Sequence, residues 1–194
     1  MANNVWLVVG LGNPGSDYAG NRHNVGQMVL DILADRISAT FKSHKSNALV
    51  AEGRISIGGP KVILAKPLSY MNTSGGPVSS LMKFYDIPVS QVLVVHDELD
   101  IDAGAVRVKV GGGHAGHNGL RDIIAAAGSP EFARIRVGIG RPPGRQDAAD
   151  FVLKDFSSTE RKDVLPLLLE QSADAIEAVI TVGTAEAQQK FNVR

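Results

Sequence analysis

The tightest constraint on this chain lies near its start. Val5–Val9 reads Val-Trp-Leu-Val-Val, an apolar run that fits a buried strand, and Gly10 stops it. Glycines follow at 10, 12 and 15, which are expected to let the backbone turn sharply and come close to a ligand. Arg22-His23-Asn24 then stands before Val25, Met28, Val29, Ile32, Leu33, Arg36 and Ile37, whose spacing predicts an amphipathic helix over roughly 24–39. A strand edge, a glycine loop and a histidine at a helix mouth together make a candidate reaction site. The glycines formally match the dinucleotide-binding pattern G-x-G-x-x-G, but that motif opens its helix inside the glycines and ends a second strand on an acid about 20 residues later. Here Pro14 and the polar Ser16–Asn24 segment delay the helix, and Asp31 and Asp35 fall within it. A nucleotide-binding oxidoreductase is therefore the weaker reading.

Beyond this stretch, strands and helices interleave. Asn47–Ile57 and Lys61–Lys66 are β-rich runs around Gly58-Gly59-Pro60, the pattern of a hairpin. Pro67–Asn72 reads as a loop, and Thr73 or Ser74 is placed to cap a helix running to about Asp86. Gln91–Val95 is a second apolar strand ending in His96-Asp97-Glu98, Ala105–Val110 a further one, and Gly111-Gly112-Gly113 opens a mobile loop. Asn118–Ala127 reads as a helix that Asn118 itself could cap, and Ala133–Ile139 as a strand. Ser157 and Glu160 have capping-box spacing before a long helical run to about Val182, expected to bend at Pro166, and Thr184 can cap one more short helix. The expected fold is α/β: one α/β/α sandwich domain over 1–194, its mixed, mostly parallel sheet flanked by helices.

Composition removes several classes of chemistry. The 194 residues contain no cysteine, which excludes disulfides, thiolate metal sites and a cysteine nucleophile, and fits a reducing cytoplasm. With 20 basic and 20 acidic residues the formal charge is zero, so any hold on nucleic acid must come from local segregation. Basic residues thicken between Arg134 and Arg145, while the chain after Ser157 is mostly acidic or neutral. No stretch is long and apolar enough to span a bilayer, and the N-terminus lacks a basic region before a long apolar run, so a cytoplasmic protein is expected.

Polar clusters fall where strands end: Asn13 and His23, Asn72, Asp97, then His117-Asn118. Ligands in open α/β sheets bind beyond the carboxyl ends of strands, so these loops can converge on one crevice. A histidine held by a carboxylate is the usual general base near neutral pH, and His23 with Asp97 would be such a pair. Without cysteine or a G-x-S-x-G elbow, the simplest nucleophile is a water activated by His23. Asparagine amides can donate to a developing oxyanion and accept from a substrate N–H, although each taken singly suits a turn or cap as well. His114-Ala-Gly-His117 with His96-Asp97 invites a zinc reading. A glycine-rich loop fixes ligands poorly, so no metal and no cofactor is expected. His44, beside Lys42 and Lys45, is expected to be simply exposed.

Taken in order, Gly10-Leu-Gly-Asn-Pro-Gly15, Tyr18, Arg22-His-Asn24, Tyr70-Met-Asn72 with Ser74-Gly75, His96-Asp-Glu-Leu-Asp100, Gly111-Gly-Gly-His-Ala-Gly-His-Asn-Gly-Leu120 and Arg136-Val-Gly-Ile-Gly-Arg141 closely resemble bacterial peptidyl-tRNA hydrolases. The resemblance covers about residues 5–152, the rest matching only as a helical tail of suitable length. It implies a metal-free, monomeric enzyme that hydrolyses the ester between a peptide and the 3′ end of tRNA. By motif position His23 is the base, Asp97 its supporting carboxylate, and Asn13 the residue that tells blocked from free aminoacyl groups. The resemblance further implies that Tyr18, Tyr70, Met71, Asn72, His117 and Asn118 bind substrate and that Lys109 and Arg136 hold a tRNA phosphate. Arg107 stands where some relatives have lysine, which keeps charge but alters geometry. A tRNA-binding module that has lost its chemistry is disfavoured by the presence of both His23 and Asp97.

Overall fold

The computed structural model describes residues 4–193. Seven strands form one sheet in the order β2-β3-β4-β1-β5-β7-β6. At its centre β1 (Val5–Gly10) runs parallel to β4 (Lys61–Pro67) on one side and to β5 (Val92–Glu98) on the other, and β5 runs parallel to β7 (Ala133–Gly138). Antiparallel strands complete both edges: β3 (Ala48–Arg54) on β4, β2 (Lys42–His44) on β3, and β6 (Val106–Val110) on β7. The sheet is thus mixed, with a parallel centre, as expected. Strand β2 escapes the sequence pattern because Lys42-Ser43-His44 carries no apolar residue; only its pairing to β3 makes it a strand.

The central strands are apolar through their middles, at 7–9 of β1, 62–65 of β4 and 92–95 of β5, because both faces are covered. Leu7, Val9, Ile63, Ala65, Val92 and Val94 pack under α2 (Gly75–Tyr85) and α3 (Asn118–Ala127). Val8, Leu64, Leu93 and Val95 pack on the other face with α1 (Val25–Arg36) and α6 (Leu165–Val182). The short helices α4 (Ala148–Val152), α5 (Ser158–Asp163) and α7 (Thr184–Phe191) complete that layer. No helix among the described residues is long and apolar enough to cross a membrane.

Several local expectations give way to tertiary partners. Neither Thr73 nor Ser74 caps α2 with its side chain; Ser74 Oγ donates to Met71 O, and the Gly75 N–H is met by Asp122 Oδ2 of α3 at 2.7 Å. His117, not Asn118, caps α3, its ring accepting from the Leu120 N–H. The Ser157–Glu160 capping box forms as expected. The run behind it breaks at Val164 rather than bending at Pro166, since proline sits in the first turn of α6, where no amide donor is needed. Gly183, not Thr184, precedes α7 as its cap residue, without a side-chain bond. The Gly111–Gly113 loop is tied down, because buried Arg134 donates to Gly112 O, Gly113 O and Pro130 O. His44 is half-buried, accepting from the Ser46 N–H and packing edge-on to Phe84.

Candidate active site

Beyond the carboxyl ends of β1 and β5, where strand order reverses about β1, lies a cavity of about 490 Å³. Asn13, His23, Tyr70, Met71, Asn72, Asp97, His117 and Asn118 all line it. Helix α4 closes one wall with Ala148, Ala149 and Val152, joined by Leu153 just after it, a contribution the sequence reading missed. Only five residues long, α4 is too short for a 3.6-residue period to register.

Asp97 lies on β5 itself rather than on the loop after it, paired in register with Val137 of β7. Alternation puts its side chain on the face of Leu93 and Val95, and there it meets the turn that leads into α1. His23 Nδ1 lies 2.8 Å from Asp97 Oδ2, and His117 Nε2 lies 2.8 Å from Asp97 Oδ1. Both oxygens of a carboxylate only 4% exposed are therefore met, which a buried charge requires. Burial opposes the charge of Asp97, but His23 and His117 outweigh it and hold the carboxyl well below its ordinary range. Burial likewise opposes a charge on His23, yet the charge of Asp97 and the bond to it prevail, raising His23 above its ordinary 6.5. With Nδ1 committed to Asp97, Nε2 is the nitrogen left to exchange a proton with whatever occupies the cavity.

The neighbours of His23 serve the framework. Arg22 is buried, packs its guanidinium 4.0 Å over the Phe151 ring and pairs with Glu160. Asn24 grips the Asn13 backbone from both sides, accepting its N–H and donating to its C=O, each at 2.9 Å. Asn13 in turn accepts the Met71 N–H through Oδ1 at 2.7 Å. That bond fixes which end of the Asn13 amide is which, leaving its NH₂ to donate into the cavity. Gly10 and Gly12 serve packing rather than ligand approach. A Cβ on Gly10 would meet Gly26 O at 2.6 Å, and one on Gly12 would meet Asn24 and Gln27 at 2.8 Å. Tyr18 is not at the cavity wall; it packs edge-on to Tyr70 with centroids 6.2 Å apart.

The basic candidates lie on a different surface. Val106 and Val108 of β6 face the core, so Arg107 and Lys109 face away from it, opposite Arg136 and Arg134 of β7. Arg136 is clasped by Glu98 through Nε at 3.0 Å and Nη2 at 2.9 Å, and Arg107 donates to Val106 O and Phe191 O. Lys109 and Arg136 line a second recess together with His96 and Glu98, and Glu98 also lines the main cavity. As for a metal, the side chains that converge are His23, Asp97 and His117, with ligand atoms within 4.8 Å of one another. His114 turns away, its Nδ1 accepting from the Gly116 N–H, and His96 is buried with Nδ1 against Asp97 O.

A family model described as peptidyl-tRNA hydrolase matches residues 7–194. The chain is 63% identical over 187 residues to a peptidyl-tRNA hydrolase of Arthrobacter sp. (strain FB24), covering 96% of each. It is 60% identical over 188 residues to one of Leifsonia xyli subsp. xyli, covering 97% of each. Among solved structures, peptidyl-tRNA hydrolase from Acinetobacter baumannii superposes with a TM-score of 0.89 at 38% identity, over 100% of this chain and 97% of that one. A crystal structure of a peptidyl-tRNA hydrolase in complex with N-propanol gives 0.90 at 38% identity over the same shares. Matched along nearly its whole length, with the C-terminal helices included, the chain belongs to the peptidyl-tRNA hydrolase family.

Proposed function

We propose that this chain, as one catalytic unit acting as a monomer, hydrolyses the ester that joins a peptide or N-blocked amino acid to the 3′ end of tRNA, with His23 as general base. The observation that carries this is the 2.8 Å contact between His23 and a buried, ionised Asp97 at the wall of an asparagine-lined cavity. His23 Nε2 takes a proton from water, Asp97 holds the tautomer and stabilises the imidazolium, and the resulting hydroxide attacks the ester carbonyl. The Asn13 NH₂ donates to the oxyanion that develops, a contact worth about 3–4 kcal/mol in such sites. The proton on His23 then passes to the departing ribose oxygen. No metal or cofactor enters these steps.

Asn72 and Asn118 bind the peptide backbone, whose amides they match whatever the side chains. Tyr70 and Met71 wall the groove, Tyr18 supports Tyr70, and His117 lines the same cavity. Lys109 and Arg136 hold RNA phosphate, which positions without reading sequence. Arg107 adds charge to that face while part of its donor capacity goes to the C-terminal helix.

His23→Ala is expected to lower turnover of N-acetylaminoacyl-tRNA by about 10²–10⁴, the worth of a positioned base, with the fold retained by circular dichroism. A folded variant with near-normal turnover would reject the role.

A further inference from the structure

His117 shares Asp97 with His23 but is held differently. Its Nε2 lies 2.8 Å from Asp97 Oδ1, while its Nδ1 accepts the Leu120 N–H at 3.3 Å as the cap of α3. An N–H from the helix points at Nδ1, so Nδ1 must carry a lone pair, and the ring proton must sit on Nε2, where Asp97 accepts it. The opposite tautomer would lose both bonds at once: a proton on Nδ1 would face the Leu120 N–H, and a bare Nε2 would face a carboxylate. Behind the ring, buried His96 packs at 68° with centroids 5.0 Å apart, and its own Nδ1 donates to Asp97 O at 2.8 Å. The ring is thus fixed in place as well as in tautomer.

We propose that His117 is a positioning residue for the hydrolysis: α3 locks it as the Nε2–H tautomer, so that it permanently donates to Asp97 Oδ1 and aims Oδ2 at His23. This rests on the reading of His23 and Asp97 as the base and its support. Two imidazoles grip one carboxylate, and the helix cap divides their roles. His23 keeps a nitrogen free for the reaction, whereas both nitrogens of His117 are used. The same lock keeps the Nε2 lone pair of His117 from a metal ion, because Nε2 carries the proton.

The tautomer can be read without turnover, from ¹⁵N resonances of the histidine rings in the intact protein. A pyrrole-type Nε2 and a pyridine-type Nδ1 are expected for His117, and the reverse pattern overturns the proposal. The kinetic arm uses three variants on N-acetylaminoacyl-tRNA. His117→Asn keeps an acceptor for the Leu120 N–H but falls short of Asp97, and His117→Ala loses both contacts. Each is expected to lower kcat by about 10- to 100-fold with KM little changed, the scale of a misaimed catalytic group. His117→Gln can reach Asp97 with its amide N–H and is expected to recover kcat relative to the alanine variant. A rise in KM with kcat intact would make His117 a substrate contact only, and a glutamine variant no better than alanine would also overturn the proposal. His23→Ala assayed alongside separates the two readings: its turnover tests the base, whereas the His117 tautomer is measured independently of it.

Discussion

Arg22, His23 and Asn24 adjoin one another in the chain and end up with unrelated tasks. Arg22 fastens the turn to α4 and α5 through Phe151 and Glu160, Asn24 shapes the Asn13 loop, and only His23 lines the cavity. The trio was legible as a polar cluster before a helix. Its division of labour was not, because Arg22–Asn24 forms a single turn of 3₁₀ helix, which sends successive side chains in different directions, and distant segments decide what each one meets. The raised pKa of His23 carries a rate consequence. A general base works unprotonated, so kcat/KM should climb with pH through one limb whose midpoint lies above 6.5. Asp97→Asn removes the charge that raises it, so the midpoint should move down while kcat falls by about 10²–10⁴. A pH–rate series on both proteins checks this; a midpoint that stays put would mean that Asp97 does not set the ionisation of His23.

At the scale of elements, the glycines near the start of the chain are explained by helix-to-sheet distance. A Cβ on Gly26 would stand 2.2 Å from Val95 O and 2.9 Å from Leu11 N, so α1 lies directly against the ends of β1 and β5. That closeness brings the turn carrying His23 down to Asp97. Gly26→Ala should therefore destabilise the fold by about 1–3 kcal/mol or more through overpacking, lowering Tm by about 2–4 °C per kcal/mol. Gly76→Ala is the matched control, since a methyl there meets nothing within 4 Å and should leave Tm unmoved or higher. Calorimetry of the pair decides it, and equal Tm values would reject the packing account. Element positions were largely readable from apolar runs and periodicity. Caps were less so: α2 takes its first acceptor from Asp122 of α3, a residue 47 positions away from the N–H it meets.

Across the whole molecule, the two sheet edges differ. Edge strand β6 is covered by the chain's end, where the Asn192 side chain accepts the Val108 N–H at 2.8 Å and donates to Val108 O at 2.9 Å, in the manner of a neighbouring strand. The helical tail is therefore part of the framework: α6 supplies Ile176 and Val179 to the core, and α7 closes the edge. Lys109 and Arg136, on β6 and β7, stay partly exposed. Lys109→Ala combined with Arg136→Ala should weaken tRNA binding and flatten its salt dependence by about one unit of log–log slope per lost phosphate contact. A titration across salt with an unchanged slope would place the phosphate contacts elsewhere. The sequence by itself determined most of the elements, the α/β class, the family resemblance and which polar side chains were candidates for the site, because periodicity and residue chemistry are local properties. Tertiary structure alone decided that Asp97 is gripped by two histidines, that Gly10 and Gly12 serve packing, and that α4 walls the cavity. Each of those depends on the distance between segments remote in the chain, and only the packed sheet fixes that distance.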